Sequence, residues 1–248
     1  MVSAEQGVAV GPHPHIGLQT VTWLTQGEVL HRDSLGSEQL LRAGELNLMT
    51  AGHGVAHAEE SPSGAVGTQE GIQLWVAQPE ATRNGPAAFH HHGDLPEVEL
   101  GGGLAVVLVG SYGGEVSPAA VATPLVGLEL TVRTRTSLAL DPGFEHAVIV
   151  IDGGVRIDGE VLEPGFLGFL GTGRDDLDLD PVVPTRAMLL GGAPFDEHLE
   201  MWWNFVGRDR EELHEAYASW VEDDGRFGTV DSHLARVLAH APPRRGAR

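Results

Sequence analysis

The chain of 248 residues contains no cysteine. Disulfides, thiolate nucleophiles, iron–sulfur clusters and cysteine-based zinc sites are thereby excluded. Positive charge is scarce: 15 Lys and Arg stand against 35 Asp and Glu, a formal net charge of −20. Such a surface repels phosphate backbones and anionic lipid, so neither direct nucleic-acid binding nor membrane association is expected. The acidity reads first as a source of solubility. No run of about 18 apolar residues occurs, so no membrane span is expected. The opening MVSAEQGVAVGPHPH lacks a basic stretch followed by an apolar block, which argues against a signal peptide and for a cytoplasmic protein. A Gly-x-Ser-x-Gly elbow, a phosphate loop and a dinucleotide fingerprint are also missing.

What is present is a globular composition, 42% apolar, with 34 Gly and 15 Pro spread along the chain. That spread reads as many tight turns, and the length accommodates two domains. Short apolar runs predict strands at Gln19–Leu24, Glu28–His31, Glu45–Met49, Gly71–Ala77, Leu104–Val109, Gly127–Val132 and Thr136–Leu140. Further strands are predicted at His146–Ile151, Val155–Ile157, Gly165–Leu170, Leu177–Leu179 and Ala187–Leu190. Turn signals such as Asp141-Pro142-Gly143 and Asp152-Gly153-Gly154 separate them. Many short strands at this spacing predict an all-β sandwich or barrel, and a weak internal echo of strand-turn-strand order suggests two such domains in tandem.

The boundary is expected near Gly110–Pro118, giving domains over 1–110 and 111–192 and a C-terminal segment over 193–248. The polar stretch Gln78–Gly103 reads as a long loop of the first domain. One helix is predicted over about 209–222, with Asp209 three residues before Glu212 as a capping pair and Leu213, Ala216, Tyr217 and Trp220 on one face. Gly225 is expected to close it, a short helix is possible over Asp231–His240, and APPRRGAR reads as a loose tail.

Four side chains carry the chemistry. His13 and His15 lie in GPHPHIG, and His57 and Glu59 in AGHGVAHAEE. Each pair has i, i+2 spacing, which on an extended strand places both groups on one face. HPH alone, or HAE alone, is also what a polar surface loop shows. Together the pairs share one geometry, each follows a glycine-rich approach, and the intervening chain holds enough strands to bring them together. Three imidazoles and one carboxylate make a transition-metal site. Imidazole suits Fe, Zn, Cu and Ni, and the carboxylate shifts the balance toward Fe(II) or Mn. Four ligands on a six-coordinate ion leave positions open for substrate or oxygen. Of the other histidines, His53 is either a support to the second pair or a loop residue. His31 reads as a turn residue, His90–His92 as a surface triplet, and His146 as a single core or surface histidine.

The run from Pro12 to Glu60, with GIQLWV (Gly71–Val76), DPGFEHAVIVIDGGVRIDG and MWWNFVGRDREEL, resembles the pirin family of the cupin superfamily. The resemblance covers most of the chain. It implies a bicupin of two tandem jelly-roll domains, with one metal ion, usually iron, in the N-terminal barrel alone. The family's ligands fall on His13, His15, His57 and Glu59, and the lone His146 fits a second barrel without metal. Two activities are implied. One is a quercetin 2,3-dioxygenase type of reaction on a flavonol or similar enol, in which Glu59 accepts the substrate hydroxyl proton. The other is a non-catalytic, metal- or redox-responsive role as the protein partner of a transcription regulator. A metal-free structural bicupin is the third reading. This sequence departs from the pattern at Gln19, where a glutamate is common, at Arg42-Ala43-Gly44, where Pro-Gly is usual, and in the 12 residues before His13. So short a lead-in implies either a misplaced chain start, with the first domain truncated at its N-terminus, or a first barrel with an open edge that would favour pairing with another chain.

Overall fold

In the computed structural model, backbone is described for residues 2–3, 7–62 and 67–242. The alternating apolar pattern becomes antiparallel sheet almost throughout, and the chain divides into two units, residues 1–93 with 197–248, and residues 94–196.

The first unit carries two larger sheets beside the two-stranded pair Glu200–Trp202 and Phe205–Gly207. One runs in the order Val2–Ser3, Glu70–Ala77, Leu18–Gln26, Leu46–Thr50, Ala88–His92. The other runs Ala9–His15, Val55–Glu60, Glu28–Asp33, Glu38–Arg42. Ala9–His15 is an edge strand of its sheet, which suits Pro12 and Pro14, since neither has an N–H to give to a ladder. Its register slips between Val10 and His13, and His13 then stands directly opposite His57. Leu18, Leu46, Leu48, Met49 and Val55 are buried between these strands.

The helix forms at Arg210–Glu222. Asp209 caps it by accepting a hydrogen bond from the Glu212 backbone N–H at 3.0 Å. Leu213, Ala216 and Trp220 are buried against Ile16, Phe205 and Phe227, with Tyr217 partly covered beside them. The left-handed C-cap is Asp223 (φ 56°) rather than Gly225. Replacing Asp209 by Ala removes the cap and should cost about 1 kcal/mol. Chemical denaturation should show a lower midpoint with an unchanged slope.

Asp231–His240 is not helical. It is an extended strap across the first unit. Val237 donates its N–H to the Pro12 carbonyl at 2.9 Å and accepts from the Trp220 indole N–H at 2.9 Å, while the Arg236 guanidinium lies 3.7 Å over the Trp220 ring. The strap passes so close that a Cβ at Gly11 would run into the Ala235 carbonyl oxygen. Of the closing APPRRGAR run, residues 243–248 lie outside the described residues.

The second unit is a sheet in the order Glu97–Leu100, Gly103–Val109, Leu125–Val132, Asp176–Gly192, Glu145–Ile157, Glu160–Leu162, with Thr136–Ala139 and Leu167–Gly171 pairing alongside. Its core is built from Val107, Leu128, Leu130, Val148, Val150, Leu177 and Leu189, among others. Two departures from the sequence reading stand out here. Glu97–Val109 pairs into this second sheet, so the division falls after Gly93 rather than near residue 110, and Gln78–Gly103 contains two strands rather than one loop. The Asp152-Gly153-Gly154 turn is instead a bulged bend, with Gly153 at φ 87°, inside one long strand. The runs expected at Leu177–Leu179 and Ala187–Leu190 likewise belong to a single strand.

Candidate metal centre

The two histidine-bearing pairs sit side by side in one sheet. His13 faces His57 across the Ala9–His15 and Val55–Glu60 ladder. On the other side, Glu28–Asp33 brings Asp33 opposite His57 and His31 opposite Glu59. His13, His15 and His57 are all buried, and one ring nitrogen from each lies within 4.8 Å of the others. Burial holds all three imidazoles below their ordinary pKa. For His15 the nearby His13 adds to the effect, and for His57 the neighbouring His13, His15 and His31 do. They are neutral donors at pH 7, the form that ligates a metal.

Hydrogen bonds set the tautomers. The His13 Nδ1–H donates to the Gly11 carbonyl at 2.9 Å, which leaves Nε2 as a bare lone pair. The slipped register at Gly11 and Pro12 is what presents that carbonyl. His57 is set by a longer chain. The Asp33 carboxylate accepts from His31 Nε2–H at 3.1 Å, and His31 Nδ1 then faces His57 Nδ1 at 3.4 Å. Asp33 is itself pinned by the backbone N–H groups of Leu35 and Ser37, each at 2.9 Å. Burial raises the Asp33 pKa, but the hydrogen bonds from His31 and Ser37 outweigh it and keep the carboxyl below its usual value. Phe89 stacks on the His31 ring at 4.3 Å. With Nδ1 of His57 thus occupied, its Nε2 points its lone pair at His15 Nε2, 3.0 Å away.

That spacing tests the fit to a metal. Two imidazole nitrogens bound about 2.1 Å from one ion at right angles stand about 3.0 Å apart. The residues present therefore fit a transition-metal ion held by His13, His15 and His57. The chain from Asp33 through His31 is the carboxylate–imidazole support that orients such ligands.

Glu59 stands differently. It does not share the 4.8 Å set of His13 and His15; it groups with His57 and His31 instead. Both of its carboxylate oxygens accept from Gln73 Nε2, at 3.0 and 3.1 Å. Glu59 and His13 together line a cavity of about 420 Å³ whose walls include Leu24, Ile72, Trp75 and Trp203. Trp75 also meets His15 edge-on at 5.4 Å. A largely apolar cavity of this size with a few convergent polar groups suits a small organic ligand.

His31 is a correction to the sequence reading: it is a buried strand residue next to His57, not a turn residue. His31 and Asp33 form a third i, i+2 pair, the same signal that marked the other two. His53 is exposed in its turn, and its carbonyl accepts from Arg226. His90–His92 lie on a paired strand, with His91 bonded to Asn47. Gln19 is buried and bonds Thr50.

A family model described as Pirin matches residues 2–76, and a second, described as Pirin C-terminal cupin domain, matches residues 125–228. A Pseudomonas aeruginosa protein named "Putative quercetin 2,3-dioxygenase PA1205" is 46% identical over 96% of this chain and 75% of its own length. The chain belongs to the pirin family. A pirin-like protein of Caulobacter vibrioides is 35% identical over 85% of the chain and 75% of its own. The crystal structure of quercetin 2,3-dioxygenase from Acinetobacter baumannii superposes with a TM-score of 0.94, at 42% identity, covering 98% of this chain and 82% of that one. The two β units are thus the tandem cupins of a pirin, and the histidine cluster lies in the N-terminal one.

The neutral histidines give the metal-free protein a definite pH response. Each has its folded pKa below the unfolded value of about 6.5, so the unfolded chain takes up protons first as pH falls. Stability is full above about pH 6.5 and declines below it, by about 1.4 kcal/mol per pH unit for each imidazole still neutral in the fold. Thermal melts of metal-free protein between pH 7.5 and 5 should show the midpoint dropping in the acid half of that range. Bound metal, which needs the neutral rings, should move the drop to lower pH.

Proposed function

We propose that this pirin is a mononuclear metal-dependent dioxygenase of the quercetin 2,3-dioxygenase type, acting on a flavonol or a similar enol with Fe(II) as its metal. The observation that carries the reading is the meeting of three buried, neutral imidazoles with a carboxylate-lined apolar cavity. The names of the Pseudomonas and Acinetobacter relatives support the substrate class. A metal at His13, His15 and His57 would supply Lewis-acid polarisation and a template for substrate and O₂.

The rest of the work falls to the chain. Trp75, Ile72 and Leu24 bury the flat aromatic substrate and exclude water. Glu59, at the cavity wall, takes the proton of the enolic hydroxyl onto a carboxylate oxygen. Gln73 holds that carboxylate in place through both of its oxygens. Asp33 and His31 fix the ring of His57.

Oxygen uptake by iron-loaded protein with quercetin tests the reading. Saturable uptake that needs iron supports it, and uptake no greater than that of the His57→Ala variant removes it for this substrate. The net charge of −20 favours a second reading, in which the metal-bound form docks a basic surface of a regulatory protein. Capture of that regulator only by the iron form would support it, and capture indifferent to metal would count against it.

A further inference from the structure

A second cavity, of about 500 Å³, lies within the second unit and shares no residue with the histidine cluster. Its walls are largely apolar, with Leu125, Val126, Phe144 and Leu189 among them, and Tyr112, Asp141 and His146 also line it. The volume falls in the range of small-molecule sites.

His146 gives the cavity its chemistry. It sits at the start of Glu145–Ile157, is 2% exposed, and its Nδ1 is buried without a well-formed hydrogen bond. Burial holds the ring below its ordinary pKa, with the Asp141 charge and the Phe144 backbone only partly opposing. It therefore presents a neutral imidazole. The Phe144 backbone is the ring's one polar contact and makes no well-formed hydrogen bond with it, so part of the desolvation cost of burying the imidazole stays uncompensated, and a hydroxyl donated to the ring from the cavity would relieve it.

The surroundings select among ligands. His146 belongs to no set of three metal-ligating groups among the described residues, which disfavours a metal. Among the described residues no Lys or Arg lines the cavity, and the Asp141 carboxylate in its wall opposes an anion. Asp141 is the single carboxylate among the described lining residues, too few charged ligands to hold a metal cation by itself. What fits is an uncharged molecule with an apolar body and one hydrogen-bonding group. We propose that the second cupin of this pirin binds a small uncharged ring compound bearing a hydroxyl group, the ring against Phe144 and Leu189 and the hydroxyl on the His146 imidazole. This stands apart from the metal centre and does not depend on the activity proposed for it.

The chain has only two tyrosines, Tyr112 in this cavity and Tyr217 on the helix of the first unit. Full-length, metal-loaded protein labelled with 3-fluorotyrosine therefore gives two fluorine signals. Phenol is the probe and toluene its hydroxyl-free counterpart. The Tyr112 signal should move saturably with phenol, with a dissociation constant on the order of 1 mM, while Tyr217 stays put. Toluene should bind about tenfold more weakly, the worth of one hydrogen bond. Val116→Trp, at an exposed wall position, should fill the cavity and abolish the shift without disturbing the core. His146→Leu should bring phenol and toluene to equal affinity. A shift that stays linear in phenol, equal binding by phenol and toluene to the parent protein, or undiminished binding to Val116→Trp would each overturn the proposal. All three outcomes remain readable even if His146→Leu does not fold.

Discussion

His57→Ala should empty the metal centre. His57 is fully buried, its Nε2 faces His15 at 3.0 Å, and its other nitrogen is held by the chain from Asp33 through His31. Removing an outer partner of a metal ligand typically costs 10–100-fold in affinity, on the order of 1–3 kcal/mol. Removing the ligand itself should cost more, so the variant should purify with little metal and fail to regain it on reconstitution. Iron-dependent oxygen uptake should fall with the metal content. Circular dichroism should still show the native β signal, because the change shortens a side chain without breaking the ladder. A variant that keeps one equivalent of metal would show that His57 is not a ligand.

Glu59→Gln should separate binding from chemistry. The change keeps the shape of the side chain but removes its basicity. Since Glu59 lies outside the set formed by His13, His15 and His57, metal content should stay near that of the parent protein. Turnover should fall by on order 10²-fold, the lower end of what a positioned general base contributes. KM should change less than kcat, because proton transfer is felt in the transition state more than in the bound substrate. Should the metal be lost instead, Glu59 would be a fourth ligand first and a base second. Unchanged turnover would remove it from the chemistry.

The clustering of His13, His15 and His57 was legible in the sequence because its signal is local. Two i, i+2 pairs on strands can be read without knowing which strands pair. The same signal at His31 and Asp33 was obscured by the Ser34–Gly36 turn beside it, which made His31 look like a turn residue. Helix 210–222 was legible from its cap and its buried stripe for the same local reason.

What could not be read was non-local. Glu97–Val109 carries nothing to say that it joins the second sheet, and the Gly-rich SYGGEVSP run looked more like a linker than the short stretch after Gly93. The strap at Asp231–His240 has helical-looking composition, yet its hydrogen bonds go to Pro12 and Trp220, residues far away in sequence. Bulges at Asp152–Gly154 depend on the partner strand and look like turns in one dimension.

The most direct test of the account is X-ray absorption at the metal edge of iron-reconstituted protein, compared with its His13→Ala and His15→Ala variants. The account predicts about one iron per chain, with an imidazole signature of three nitrogens at about 2.1 Å that weakens, or disappears with the iron, in each variant. An iron shell without imidazole scattering, or the same spectrum in both variants, would contradict it.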